Sequence, residues 1–366
     1  MKLCFLASAN SIHSFRWIKY FADKGHEIHW ISLTKNEFSN LKNVKFYLLK
    51  QYPTKFLDII FNVTSVKKLI KEIKPDILHA HYAGVNGVLG ALSGFHPFIL
   101  TAWGSDILVA GKSSLAKWLI KFTLKKADLI TCDAEHMREA MIKLGAKPEK
   151  IKIIYFGVDT EKFSPGSKNE ELMKKLGIEN CPVVITLRNL EPIYNVETLI
   201  KAIPFVLKEI PNAKFIIAGK GPEEEKLKNL ANNLNIPESI RFPGFIPNDD
   251  LPRYLKTSDV YVSTALSDAG LSASTAEAMA CGLPVVITNT GENEKWIEDG
   301  ENGFLIPVKN PEILAEKIIF LLENKNVAQK IGIAARKTIE ERNSYFREMS
   351  KMEKIYEEII KNSNQL

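Results

Sequence analysis

Along the chain, short apolar runs alternate with longer stretches whose apolar positions recur every three or four residues. Residues 2–7, 27–33, 76–80, 98–102 and 129–132 read as strands. Helices are predicted over 14–24, stopped by Gly25, and over 112–126 and 135–144. The rhythm restarts at 183–187 and continues through strands at 215–218, 260–263 and 285–288, with helices over 196–210 and 224–234. Such βα alternation builds parallel sheets, so the pattern predicts an α/β architecture with two sets of units. The turn-rich Phe163-Ser164-Pro165-Gly166-Ser167 separates the sets, giving expected domains over 1–163 and 164–345. A final helical stretch from 345 to 361 has no strand after it.

Composition narrows the class. A length of 366 residues suffices for two cores, and 45% apolar with 25% charged residues is ordinary for a globular chain. No apolar stretch approaches the ~18 residues of a membrane span, and the opening run 2–7 is too short for a signal-peptide core. Cys4, Cys132, Cys181 and Cys281 are scattered without a C-x-x-C pair, which argues against a zinc ribbon or disulfide scaffold and fits a reducing cytosol. A soluble, cytoplasmic protein is expected. Charge is uneven: residues 1–165 hold 24 Lys+Arg against 14 Asp+Glu, and the remainder 25 against 29. The basic front half suits an anionic partner or simple solubility. Neither aromatic–basic interleaving nor zinc spacing points to nucleic acid.

Sheets of this kind bind ligands at the carboxyl ends of their strands, so the loops there carry the chemistry. The most informative runs from Ser267-Asp268-Ala269-Gly270-Leu271-Ser272 through Thr275 and Glu277 to Gly282-Leu283-Pro284. A helix start with the Ser272 and Thr275 hydroxyls suits an anion, and Glu277 one turn on suits ribose hydroxyls. Ser274-Thr275-Ala276-Glu277 equally has the form of a capping box. Arg188 follows the strand 183–187, as a ligand for an anion or a partner in a structural ion pair. Gly219-Lys220-Gly221-Pro222 is only half a dinucleotide fingerprint, which argues against hydride transfer.

The run Glu277-Ala278-Met279-Ala280-Cys281-Gly282-Leu283-Pro284-Val285-Val286 resembles the signature of the retaining GT-B glycosyltransferases known as family 4. Further segments agree in order: Tyr155-Phe156-Gly157-Val158-Asp159, the turn at Arg188, Ala218-Gly219-Lys220-Gly221-Pro222, Arg241-Phe242-Pro243-Gly244-Phe245 and Gly300-Glu301-Asn302-Gly303-Phe304-Leu305. In the first half, Ser11-Ile12-His13-Ser14-Phe15-Arg16-Trp17 and Thr101-Ala102-Trp103-Gly104-Ser105-Asp106 are similar to the family's acceptor domain. The likeness spans nearly the whole chain.

The resemblance implies two Rossmann-like doubly wound domains facing each other across a cleft, with residues 346–366 as a helix crossing back to the first. It implies a nucleotide-diphosphate-sugar donor, uridine ahead of guanosine, a hydroxyl acceptor, and no cofactor or metal. Arg188, aided by Lys220 and the helix start at Ser272 to Thr275, would stabilise the departing diphosphate. Glu277 would hold the ribose, Asp268 with Gly270, Leu271 and Ser272 the transferred sugar, and Gly244-Phe245 the base. On the acceptor side stand His13, Trp103 and Asp106, the last also a helix-cap candidate. Three departures are visible. Eight residues separate Asp268 from Glu277 where the family has seven, and Asp stands for Glu. The loop 188–195 lacks the family's lysine, with Tyr194 and Asn195 near its place. Trp103 stands where a histidine is common. The helix 112–126, carrying Lys112, Lys117, Lys121, Lys125 and Lys126 among Leu115, Trp118 and Phe122, suits either a peripheral membrane contact or an ordinary packed helix. Two rival readings are a nucleotide-sugar epimerase or hydrolase on the same fold, and a non-catalytic nucleotide-binding subunit.

Overall fold

Among the described residues thirteen short strands, the interior ones mostly buried, are sorted into two all-parallel sheets. The computed structural model describes residues 1–38, 41–108, 114–268 and 270–363. The chain divides into two units, Met1–Phe156 with Phe346–Leu366, and Gly157–Tyr345. The division falls earlier than the turn residues at 163–167 suggest, because Val158 and Phe163 are buried in the core of the second unit.

The first unit holds β1 (Lys2–Leu6), β2 (Glu27–Ser32), β3 (Val44–Leu48), β4 (Ile77–His81), β5 (Phe98–Thr101), β6 (Leu129–Cys132) and β7 (Ile151–Ile153), in the order β3-β2-β1-β4-β5-β6-β7. Leu3, Cys4, Phe5 and Leu6 are all buried, as a central parallel strand covered on both faces requires. Helix Ile12–Asp23 starts where Ser11 accepts from Ser14 N–H and stops before Gly25, whose φ of +82° ends it. The last helix, Tyr345–Ser363, seals this unit. Tyr356 is fully buried against Phe21 and hydrogen-bonds His79 Nδ1, while Glu353 receives Tyr20 Oη at 3.1 Å and pairs with His26 at 3.0 Å.

The second unit holds β8 (Val183–Leu187), β9 (Lys214–Ala218), β10 (Ile240–Gly244), β11 (Val260–Ser263), β12 (Val285–Thr288) and β13 (Phe304–Ile306), in the order β10-β9-β8-β11-β12-β13. Alternate residues feed two cores. Val184 and Val262 pack with helices Val196–Glu209 and Pro311–Glu323, whereas Val183, Ile185 and Tyr261 pack with helix Ala273–Ala280. Each sheet reverses its winding once, between β1 and β4 and between β8 and β11. In sheets of this kind the loops after such strands are where ligands bind.

Candidate functional site

At the β8/β11 switch point two loops are tied together. Leu266 N–H donates to the Ile193 carbonyl at 2.8 Å, and Thr264 Oγ1 donates to the carbonyls of Tyr194 at 3.2 Å and Asn195 at 2.9 Å. Asn195 Nδ2 returns a bond to the Thr264 carbonyl at 3.3 Å. Across this tie Arg188 donates to Asp268 Oδ1 at 2.5 Å, with side chains only 7% and 9% exposed. The guanidinium lies 4.2 Å from the centroid of Tyr194. Burial works against the arginine's charge, but Tyr261, Asp268 and Tyr194 hold its pKa above the ordinary value. Burial also pushes Asp268 up, and there it outweighs the opposing pull of Arg188. The residues near the family's lysine position therefore have work of their own: Tyr194 backs the arginine and Asn195 ties the loops.

Helix Ala273–Ala280 opens beside this pair. Its cap is Ser272, whose hydroxyl accepts from Thr275 N–H at 3.3 Å and lies 2.7 Å from Thr275 Oγ1. The expected capping box from Ser274 to Glu277 does not form, because the helix starts earlier and both residues lie inside it. Ser274 instead bonds Tyr261 Oη at 2.8 Å. Tyr261 is wholly buried and its phenol is pushed up by burial, so it is a neutral hydroxyl linking the helix start to the field of Arg188. Glu277 is half-buried on the helix, and Gly270 and Leu271 are half-buried just ahead of the cap. Ala269 lies outside the described residues.

A third loop supports Arg188 from behind. Leu190 N–H donates to the Lys220 carbonyl, and Glu223 N–H to the Leu190 carbonyl, both at 3.0 Å. A Cβ on Gly219 would stand 2.2 Å from the Arg188 carbonyl oxygen, and one on Gly221 2.3 Å from that of Leu190. The paired glycines permit this close backbone approach. Gly219 N–H also donates to the Gly244 carbonyl at 2.9 Å, and next to it Phe245 is 64% exposed, free to stack. Lys220 is exposed, and its ammonium has no ion pair or hydrogen bond among the described residues. It does not join the Arg188–Asp268 pair, since its stem lies along Gly244.

In the first unit, the β1/β4 switch point gathers a box of rings. His13 stacks on Trp103 at 5.1 Å and meets Phe156 edge-on at 4.3 Å, and Arg16 covers Phe156 at 4.1 Å. His13 keeps an open edge to solvent, yet packing and then the charge of Arg16 push its pKa down to about 4. Its imidazole is neutral at physiological pH. Beneath it, Trp17, His81 and Trp103 pack at 5.2–6.0 Å from one another. The Nε1 atoms of both tryptophans and Nε2 of His81 are buried without a hydrogen-bond partner. Burial, followed by the charge of His13, drives the His81 pKa down to about 3. Asp106 is committed to the fold: one oxygen accepts from Trp103 and Gly104 N–H and the other from Ala83 N–H, and it is 2% exposed. It neither caps a helix nor presents an open face to an acceptor.

Sequence reasoning missed Tyr261, His81 and Trp17. The signal for the histidine was present in His79-Ala80-His81, where strand period two sets both rings on one face. Cys4, Cys132 and Cys281 are buried and pushed up to about 12, so none is a thiolate.

Two family models match the chain: "Glycosyl transferases group 1" over residues 168–338 and "Glycosyl transferase 4-like" over 2–134. The chain is 27% identical over 360 residues to N-acetyl-alpha-D-glucosaminyl L-malate synthase of Bacillus anthracis, covering 94% of this chain and 92% of the relative. It is 29% identical over 277 residues to an Escherichia coli UDP-Gal:alpha-D-GlcNAc-diphosphoundecaprenol alpha-1,3-galactosyltransferase, covering 72% and 70%. Among solved structures, HepE of Anabaena in complex with UDP superposes with a TM-score of 0.82 at 21% identity, covering 98% of this chain and all of that one. That likeness identifies the fold as GT-B.

Proposed function

The chain belongs to the glycosyl transferases group 1 family and is a glycosyltransferase, and from that premise we propose that it moves a hexosyl or N-acetylhexosaminyl group from a uridine diphosphate sugar to a hydroxyl acceptor, with retention at the anomeric carbon. The observation that carries the reading is Arg188. It is a buried cation at the β8/β11 switch point with, among the described residues, a single hydrogen bond, beside the start of helix Ala273–Ala280. An anion placed there meets a desolvated guanidinium whose remaining N–H groups have no acceptor among the described residues, together with the positive end of a helix. Glu277, on the same helix, holds the ribose. Phe245 offers its exposed ring to the base. The uracil preference is supported by HepE, which has also been solved with UDP-glucose.

In the proposed reaction the acceptor oxygen bonds to the anomeric carbon on the face from which the diphosphate leaves. The bond from that carbon to the β-phosphate oxygen breaks, and the acceptor proton passes to the departing phosphate. Arg188 stabilises the negative charge that develops on the phosphate. His13 and Trp103 line the acceptor side, with His13 neutral and able to hydrogen-bond a hydroxyl. For the acceptor we propose a site near a membrane surface. Helix Ser114–Lys126 presents Leu115 and Trp118, 54% and 61% exposed, beside Lys117, Lys121 and Lys125, while Ile120 and Leu124 face inward. Lys112 lies outside the described residues. No helix among the described residues is long and apolar enough to cross a membrane.

The test is thermal unfolding against UDP, GDP, ADP and their sugar conjugates, with and without chelator. A ligand at a hundred times its Kd stabilises the fold by about 2.7 kcal/mol. One base should raise the midpoint with chelator present, and Arg188→Ala and Glu277→Ala should each abolish the shift. A panel without any shift overturns the donor reading.

A further inference from the structure

The arginine of the donor site already has an anion. Asp268 occupies Arg188 through one bond to one oxygen, although an arginine fork can give a carboxylate two. Among the described residues Asp268 has no other donor, and Arg188 no other acceptor. Burial pushes the Asp268 pKa up even with the guanidinium in contact, so the position is unfavourable for the charge apart from that contact. A diphosphate that takes Arg188 must take it from Asp268. It would leave a buried carboxylate unpaired, close to new negative charge, which is among the costlier arrangements in a protein interior.

Resting on the reading of Arg188 as the diphosphate ligand, we propose that Asp268 is an exchangeable counter-ion, displaced from Arg188 by the donor diphosphate and satisfied in turn by hydroxyls of the transferred sugar. The intact donor brings both halves of the exchange. It supplies an anion for the arginine and O–H donors for the carboxylate. The spent nucleoside diphosphate brings only the anion and strands Asp268. The site therefore favours donor over its own product, and the carboxylate helps to expel what transfer leaves behind. Discrimination of this kind works by leaving a buried group unpaired in the wrong complex.

The experiment is calorimetric titration of UDP and UDP-glucose into wild-type protein and Asp268→Asn, with chelator and no acceptor. Wild type should bind UDP-glucose at least tenfold more tightly than UDP. Asp268→Asn should bind UDP at least tenfold more tightly than wild type does, and should lose the preference for the sugar conjugate. A merely structural role for Asp268 would weaken both ligands together, and that outcome overturns the exchange. So does an unchanged UDP affinity. If the asparagine variant does not fold, Asp268→Ser gives the same contrast with room for water at Arg188. The wild-type ratio also stands alone, since UDP binding as tightly as UDP-glucose refutes the proposal. A wild type that binds neither ligand overturns the donor reading instead, and the exchange with it.

Discussion

Replacing Gly219 by Ala tests whether the backbone behind Arg188 sets its reach. The added Cβ would stand 2.2 Å from the Arg188 carbonyl oxygen, against the 3.4 Å of ordinary contact. Relief requires the strand end carrying Arg188 to retreat by about 1 Å, because the obstacle is backbone and cannot rotate away. Gly219 also has a φ of +141°, a region essentially closed to other residues, at a cost of about 1–3 kcal/mol. For a unit of this size a loss of about 2 kcal/mol lowers the unfolding midpoint by roughly 4–8 °C. A 1 Å misplacement of a charge-stabilising group costs on the order of 10²-fold in turnover. The assay is sugar transfer or donor hydrolysis, read beside the melting midpoint and the Kd for UDP. A folded Gly219→Ala protein with wild-type turnover would refute the argument that this glycine pair positions the arginine.

Two further outcomes follow from the first unit. His81 has a pKa near 3 in the fold against 6.5 for a free imidazole, so the folded state binds fewer protons. Its contribution is fully present above pH 6.5 and is lost as pH falls toward 3, amounting to about 2.7 kcal/mol at pH 4.5. Urea unfolding followed by tryptophan fluorescence at pH 7.5 and 4.5 should show that loss in wild type and much less of it in His81→Gln; equal losses would count against it. Neutralising Lys117 and Lys121 to Gln should weaken binding to phosphatidylglycerol vesicles about 30-fold, at about 1 kcal/mol per removed lysine. Unchanged sedimentation would make Ser114–Lys126 an ordinary outer helix.

What could be read from the chain, and what could not, follows burial. Every strand interior to either sheet was visible as a largely apolar run, interrupted in β2 and β4 by buried histidines, because both of its faces are covered. The four missed strands, β3, β7, β10 and β13, are the four sheet edges. β3 alternates Val44-Lys45-Phe46-Tyr47-Leu48 with most positions half or fully exposed, and β10 carries Pro243, which an edge tolerates. At the candidate site, Arg188, Asp268 and Ser272 stand out in the sequence because loop position and residue type agree there. That Arg188 pairs with Asp268 depends on two loops 80 residues apart meeting at a switch point, which no local pattern states. The buried nitrogens of Trp17 and His81 escaped notice because core positions of that kind usually report packing alone.

The closing helix of the first unit sets a condition on how the molecule is made. Residues 157–345 intervene between the sheet of that unit and the helix that covers it. At a synthesis rate of about 5–20 residues per second, the ribosome spends about 10–40 s on the intervening stretch. For that interval His79 and Phe21 wait without Tyr356, and His26 without Glu353. The nascent first unit thus carries an open apolar seam that a chaperone can bind, and it acquires its lid only after the second unit has been translated.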